Sequence, residues 1–178
     1  MTKIAVLVGS LSDASINRKL AKNLEELAPE GVEFVYTDLD LPLFDYELEV
    51  EFPKKAQELK DVIEQSDGVL LLTPEYNRSF SGVLKNAIDW ASRPYGKNAF
   101  SGKVAAIAGA SMGALGTTQA QSQLRSVMVY LNTKLVGQPE LYVDASKDFD
   151  EQGKATDKAR ESFKTFIDNF VAKIERHK

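Results

Sequence analysis

Gly68-Val-Leu-Leu-Leu-Thr73, Pro74-Glu-Tyr-Asn-Arg-Ser-Phe-Ser81 and Gly82-Val-Leu-Lys-Asn-Ala-Ile-Asp-Trp90 read in order as a strand, a polar loop and a helix. Val69 to Leu72 are apolar without alternation, which marks a strand covered on both faces, as in parallel sheets. Its loop leaves the carboxyl edge, where open α/β sheets bind ligands. At eight residues from Pro74 to Ser81, the loop is longer than most βα connections. The same residues also suit a plain connection, with Pro74 ending the strand and Ser79 or Ser81 capping the helix.

Outward from this stretch the same alternation repeats. Strands are expected at Lys3 to Val8, Val32 to Thr37, Gly68 to Thr73, Lys103 to Ala108 and about Glu140 to Val143. Helices are expected at about Ser15 to Leu27, Pro53 to Gln65, Gly82 to Trp90, from the Gly109–Gly116 loop to about Leu131, and Gly153 to Glu175. The last carries Phe163, Phe166, Ile167, Phe170 and Ile174 on one face, a core stripe. Asp38 to Tyr46 is too apolar a loop to lie wholly in water and is expected to fold over a neighbour. Five strands alternating with five helices predict an α/β three-layer sandwich around a five-stranded parallel sheet, one domain over residues 1–178. After strand one stand a single glycine and then hydroxyls, in place of the Gly-x-Gly-x-x-Gly of dinucleotide folds. That favours the flavodoxin-like order 2-1-3-4-5.

Composition narrows the function. There are 22 Lys and Arg against 26 Asp and Glu, a net charge of −4, and no basic run before the final residues, so nucleic acid is not the expected partner. The absence of Cys removes disulfides, thiolate catalysis and zinc–cysteine sites. Ile4 to Val8 is too short for a signal peptide, and a cytoplasmic protein without membrane spans is expected.

Ser10, Ser12, Ser15 and Asn17 surround a helix start, where free N–H groups, the helix dipole and hydroxyls suit a terminal phosphate. Ser15 alone would serve as an ordinary N-cap. No Gly-Lys-Ser or Gly-Lys-Thr follows, so this is not a Walker loop, and strand one lacks the acids of a receiver domain. Gly109-Ala-Ser111-Met-Gly113 matches a nucleophile elbow, with Asp144 and His177 following in hydrolase order. Against it, His177 closes a helix running back from the carboxyl edge, roughly 35 Å for about 23 residues.

Gly9-Ser10-Leu11 with Ser15 and Asn17, Thr73-Pro-Glu-Tyr-Asn77, Leu84-Lys-Asn-Ala-Ile-Asp-Trp90 and Gly137-Gln-Pro139 together resemble the NADPH-dependent FMN reductase family over almost the whole chain. The resemblance implies FMN, with Ser10, Ser15 and Asn17 holding its phosphate and Ser12 and Ile16 also at the cofactor. It sets Pro74, Glu75, Tyr76 and Asn77 beside the isoalloxazine ring, and Ser111, Met112 and Gly113 at its other edge. It implies NADPH or NADH as reductant and a small-molecule electron acceptor such as a quinone, azo compound, free flavin or metal oxyanion. Pairing into a homodimer or homotetramer through the Leu84–Trp90 helix is also implied, while the residues themselves suit a helix buried within the chain equally well. The cofactor carries the redox chemistry, so no catalytic side chain is expected. Many relatives carry Arg where this chain has Ser12. A non-enzymatic electron carrier of the flavodoxin type is the other alternative, although such carriers dock through more strongly charged surfaces.

Overall fold

The computed structural model describes residues 1–178. Its elements are β1 (Thr2–Val8), α1 (Ile16–Leu27), β2 (Val32–Tyr36), a 3-10 helix (Tyr46–Glu51), α2 (Lys54–Gln65), β3 (Gly68–Leu72) and α3 (Gly82–Ala91). They continue through β4 (Val104–Ser111), α4 (Thr118–Tyr130), β5 (Lys134–Leu135), β6 (Leu141–Asp144), α5 (Ala145–Asp148) and α6 (Asp157–Glu175). Every strand pairing is parallel and the order is β2-β1-β3-β4-β5, the flavodoxin-like order, with β6 also pairing β4.

Two-residue periodicity divides the strands between two cores. Ile4, Val6, Leu70, Leu72, Ala106 and Ala108 face α1 and α6, where Leu20, Leu24, Phe163 and Phe170 complete one cluster. Ala5, Leu7, Val69, Leu71, Ala105 and Ile107 face α2, α3 and α4, with Ile63, Leu84, Ile88 and Leu124. Helices therefore cover both faces, which is why these strands lack polar alternation.

The structure departs from the sequence expectation at the fifth strand position. Ala105 pairs Leu135 and Ala108 pairs Leu141, so Ala106 and Ile107 stand opposite Val136–Glu140, five residues against two. The strand is therefore split, and only its second half falls at the expected place. Pro139, which lacks an N–H, lies in the detour, and the Arg125 guanidinium and Gln121 amide hold its ends by donating to the Val136 and Leu141 carbonyls. The strand four expectation also stops short: Gly109, Ala110 and Ser111 belong to β4. Gly109 is there for close approach, since a Cβ would lie 2.1 Å from Thr117 Oγ1 and 2.3 Å from the Thr73 carbonyl.

The Asp38–Tyr46 loop does fold over a neighbour, α3. The Asn86 carboxamide accepts from Phe44 N–H at 2.7 Å and donates to the Pro42 carbonyl at 3.0 Å. Trp90 Nε1 donates to the same carbonyl at 2.8 Å, and its ring packs edge-on against Phe44 and Phe52. Leu84, Ile88 and Trp90 are thus buried inside the chain, which corrects their expected use as an intersubunit face. No helix is long and apolar enough to cross a membrane.

Candidate functional site

Three loops meet at the carboxyl edge. The first begins at Gly9, whose N–H donates to the Leu72 carbonyl at 2.7 Å; a Cβ here would lie 2.6 Å from Ser81 Oγ, so glycine lets the loop sit against α3. Ser10 Oγ accepts from Ser12 N–H at 3.3 Å. Ser15 caps α1 by accepting from Arg18 N–H. The N–H groups of Asp13, Ala14, Ile16 and Asn17 have no acceptor in the chain, and neither has the hydroxyl hydrogen of the buried Ser15. Donors left open at a helix start attract an anion.

Asn17 does something the sequence did not disclose. Its carboxamide accepts from Ala110 N–H at 2.8 Å and donates to the Ala110 carbonyl at 3.0 Å, with the residue 1% exposed. A side chain here copies a strand pairing and locks the start of α1 to the end of β4. The residue still borders the site, but its carboxamide oxygen and one amide hydrogen are committed to Ala110.

The second loop is braced against α4. Thr117, the N-cap of α4, makes no side-chain cap bond. The Glu75 carboxylate replaces it, accepting from Gln119 and Ala120 N–H at 3.0 and 3.1 Å. Tyr76 and Ser79 exchange main-chain hydrogen bonds around Asn77 and Arg78, whose φ angles are 50° and 63°. This is a type I′ geometry. Gln123 fastens the turn, donating to the Arg78 carbonyl and accepting from Ser79 Oγ.

In the third loop the Ser111 hydroxyl donates to the Gly116 carbonyl at 2.7 Å and accepts from Gly113 N–H. That serine organises its own turn. His177 lies at the amino edge beside Asp67 and Lys103, its Nδ1 2.8 Å from the Lys173 carbonyl oxygen. The nucleophile elbow is therefore a sequence coincidence, since the one histidine lies at the opposite edge of the sheet.

A cleft of about 300 Å³ opens between the three loops. It gathers Ser10, Ser12, Ser15, Ile16 and Asn17 from the first, Pro74, Glu75 and Tyr76 from the second, and Ser111 and Met112 from the third. Asn77, at the tip of the turn, and Gly113 do not line it. Ala14 and Ala110 do, and neither carried a chemical signal in the sequence. Tyr76 and Met112 stay 57% and 69% exposed at the mouth. A larger cleft of about 460 Å³ lies beside β1 and β2. It contains Asp38 and Asp40 and shares Ser10 and Arg18 with its surroundings. The smaller cleft is the better anion site, because Ala14, Ile16 and Asn17, whose N–H groups have no acceptor, line it together with Ser15.

Such a sheet, with open donors after β1 and facing loops after β3 and β4, defines a flavodoxin-like protein with a candidate anion site at its carboxyl edge. Residues 2–148 match the NADPH-dependent FMN reductase family. The chain is 47% identical over 174 residues to 2-hydroxy-1,4-benzoquinone reductase of Burkholderia sp., covering 96% of this chain and 94% of that protein. It is 42% identical to a quinone reductase of Pseudomonas putida, covering 97% and 94% of the two chains. Among solved structures, FerB, a flavoenzyme NAD(P)H:(acceptor) oxidoreductase from Paracoccus denitrificans, superposes with a TM-score of 0.93 at 42% identity, covering 99% of each chain. The chain belongs to the NADPH-dependent FMN reductase family, and FMN and NAD(P)H are its cofactors.

Proposed function

We propose that this chain is a cytoplasmic NAD(P)H-dependent quinone reductase holding FMN in the 300 Å³ cleft, with residues 1–178 acting as one domain. The observation that carries the placement is the set of unpaired N–H groups at Ala14, Ile16 and Asn17 beside the buried Ser15 hydroxyl, all lining that cleft. They fit the FMN phosphate, with Ser10 and Ser12 as further hydroxyls. The family match supports FMN over FAD.

When bound, FMN supplies the redox chemistry, accepting hydride from the nicotinamide and passing two electrons to the acceptor. The protein orients the reactants and answers charge. Pro74, Tyr76, Ala110 and Met112 offer flat or apolar surfaces at the ring end of the cleft. Glu75 and Met112 line it with main-chain N–H groups that have no acceptor in the chain, donors suited to the negative charge that grows on the ring during reduction. Glu75 and Gln123 hold the second loop to α4, and the Ser111 hydroxyl holds the third, so these donors are fixed before the ligand arrives.

The exposed Tyr76 and Met112 of the cleft suit a planar, mainly apolar acceptor, in keeping with the benzoquinone and quinone reductases among the relatives. A homodimer or homotetramer would use the exposed Leu43, Tyr46 and Val50 of the strap over α3, because Leu84, Ile88 and Trp90 of α3 are already buried. The test is a flavin absorbance spectrum of the purified chain, followed by NADPH oxidation with a benzoquinone. Turnover without added flavin supports the reading. Failure to retain FMN after reconstitution, or bound FMN without steady turnover, overturns it.

A further inference from the structure

The first turn of α1 carries the wrong charge for a helix start. Unpaired N–H groups make that end positive, so acids belong there and cations do not. In α1 the first turn is Ile16, Asn17, Arg18 and Lys19, with no acid. Two cations therefore stand on a positive pole.

The cleft has the opposite deficit. Its only charged lining residue is Glu75, an anion whose carboxylate is engaged by α4. A phosphate there would contact hydroxyls and N–H groups while carrying close to two negative charges. Arg18 is outside the cleft but against its wall. Its Nη2 donates to the Ser10 carbonyl at 3.5 Å, from the outer side of the loop. It lines the two neighbouring clefts, one with Ser10 and one with Ser15, and pairs with no carboxylate. The other nearby cations are placed differently. Lys19 lies along Gly153, where a Cβ would come within 2.8 Å of its Cδ, and Lys22 pairs with Glu25 at 2.9 Å.

We propose that Arg18 is the counter-cation of the FMN phosphate, acting through the Ser10–Ser15 loop from its outer face without touching the ligand. The proposal rests on the placement of FMN given above. It accounts for both misfits together: the cation that destabilises the empty helix start favours the anion that completes it. Arg18 is a positioning residue for charge, and the redox step does not involve it.

The test compares two flavins that differ in the phosphate. Equilibrium dialysis of the full chain against FMN and against riboflavin gives two dissociation constants at low and at high salt. Arg18→Gln is expected to weaken FMN on the order of fivefold at low salt, with the gap closing as salt screens the charge. Riboflavin binding should be unmoved, and Arg18→Lys should recover most of the loss. Without flavin, Arg18→Gln should melt no lower than the parent, since a misplaced cation has gone. Equal weakening of both flavins would show that Arg18 merely shapes the loop through Ser10 and would overturn the proposal, as would FMN affinity that ignores the substitution. If the parent binds neither flavin, the placement of FMN falls and this proposal with it, an outcome distinct from a selective loss in the variant.

Discussion

The loops after β1 and after β3 both border the cleft and both leave main-chain N–H groups without acceptors, yet they differ in where those groups lie and what their side chains hold. The first leaves the N–H groups of Leu11, Asp13, Ala14, Ile16 and Asn17 and a buried hydroxyl hydrogen without acceptors around a helix start, whereas the second leaves those of Glu75, Asn77, Arg78 and Phe80 spread along a turn. The second engages most of its polar side chains in structure: Glu75 on α4, Ser79 on Gln123, and Ser81 on Leu84 N–H as the N-cap of α3. The same holds farther along, where Asn86 and Trp90 fasten the strap. The difference teaches that a motif specific to a family can spend its side chains on structure even where it borders the ligand. Pro-Glu-Tyr-Asn fixes a wall of the cleft through Glu75, whereas the less distinctive serine loop gathers open donors at a helix start.

The sharpest way to break this contrast is Asn17, which belongs to the first loop but behaves like the second. Asn17→Ala would strip the partners from a buried N–H and a buried carbonyl of Ala110. Unsatisfied buried groups cost about 1–3 kcal/mol each. A loss of about 3 kcal/mol should lower the melting temperature by roughly 6–12 °C. FMN binding should weaken as well, because the start of α1 loses its anchor. If the variant instead keeps the parent's stability and only loses FMN, Asn17 is a phosphate ligand and the clamp is incidental.

Glu75 tests the second loop. Glu75→Ala removes a charge-assisted cap from two α4 N–H groups, expected to cost about 1.5–3 kcal/mol and several degrees of melting temperature. Turnover at saturating FMN should fall less than stability does, since the side chain faces α4. Ser15→Ala should do both things at once. It loses a cap worth about 1 kcal/mol and a hydroxyl donor to the phosphate, so FMN binding should weaken by roughly tenfold at a smaller thermal cost. A purely thermal effect would leave the phosphate cradle to the main chain alone.

How far these roles were legible depends on how local their cause is. The strand order followed from one glycine and a run of hydroxyls after β1, and the two-faced strands from uninterrupted apolar runs, both features of neighbouring residues. Ten of the twelve residues expected at the cofactor line one cleft, because a carboxyl edge brings consecutive βα loops together. Asn17 on Ala110 and Glu75 on α4 join residues far apart in sequence, 93 and more than 40 positions, and such pairs leave no periodic trace. β5 was missed for a related reason: two residues, Lys134 and Leu135, are too few to show a pattern.

The smallest expected effect is also the one with the unusual sign. Arg78 sits at φ 63° in the second central position of a type I′ turn, where Asn-Gly is the preferred pair. A left-handed conformation costs an L-residue roughly 1 kcal/mol, and glycine avoids that cost. Arg78→Gly should therefore stabilise the turn. Against this stands the Arg78–Glu75 ion pair at 3.6 Å, but its arginine side chain is 72% exposed and such pairs contribute about 0–1 kcal/mol. Glycine also loosens the unfolded chain, which removes part of the gain. The balance is a gain of about 0.5 kcal/mol, one or two degrees in a melting experiment, with FMN affinity unchanged because Arg78 does not line the cleft. A fall in melting temperature would show that the ion pair holds Glu75 in its capping position. Weaker FMN binding would mean that the turn reaches the ligand after all, and the contrast between the two loops would then no longer stand.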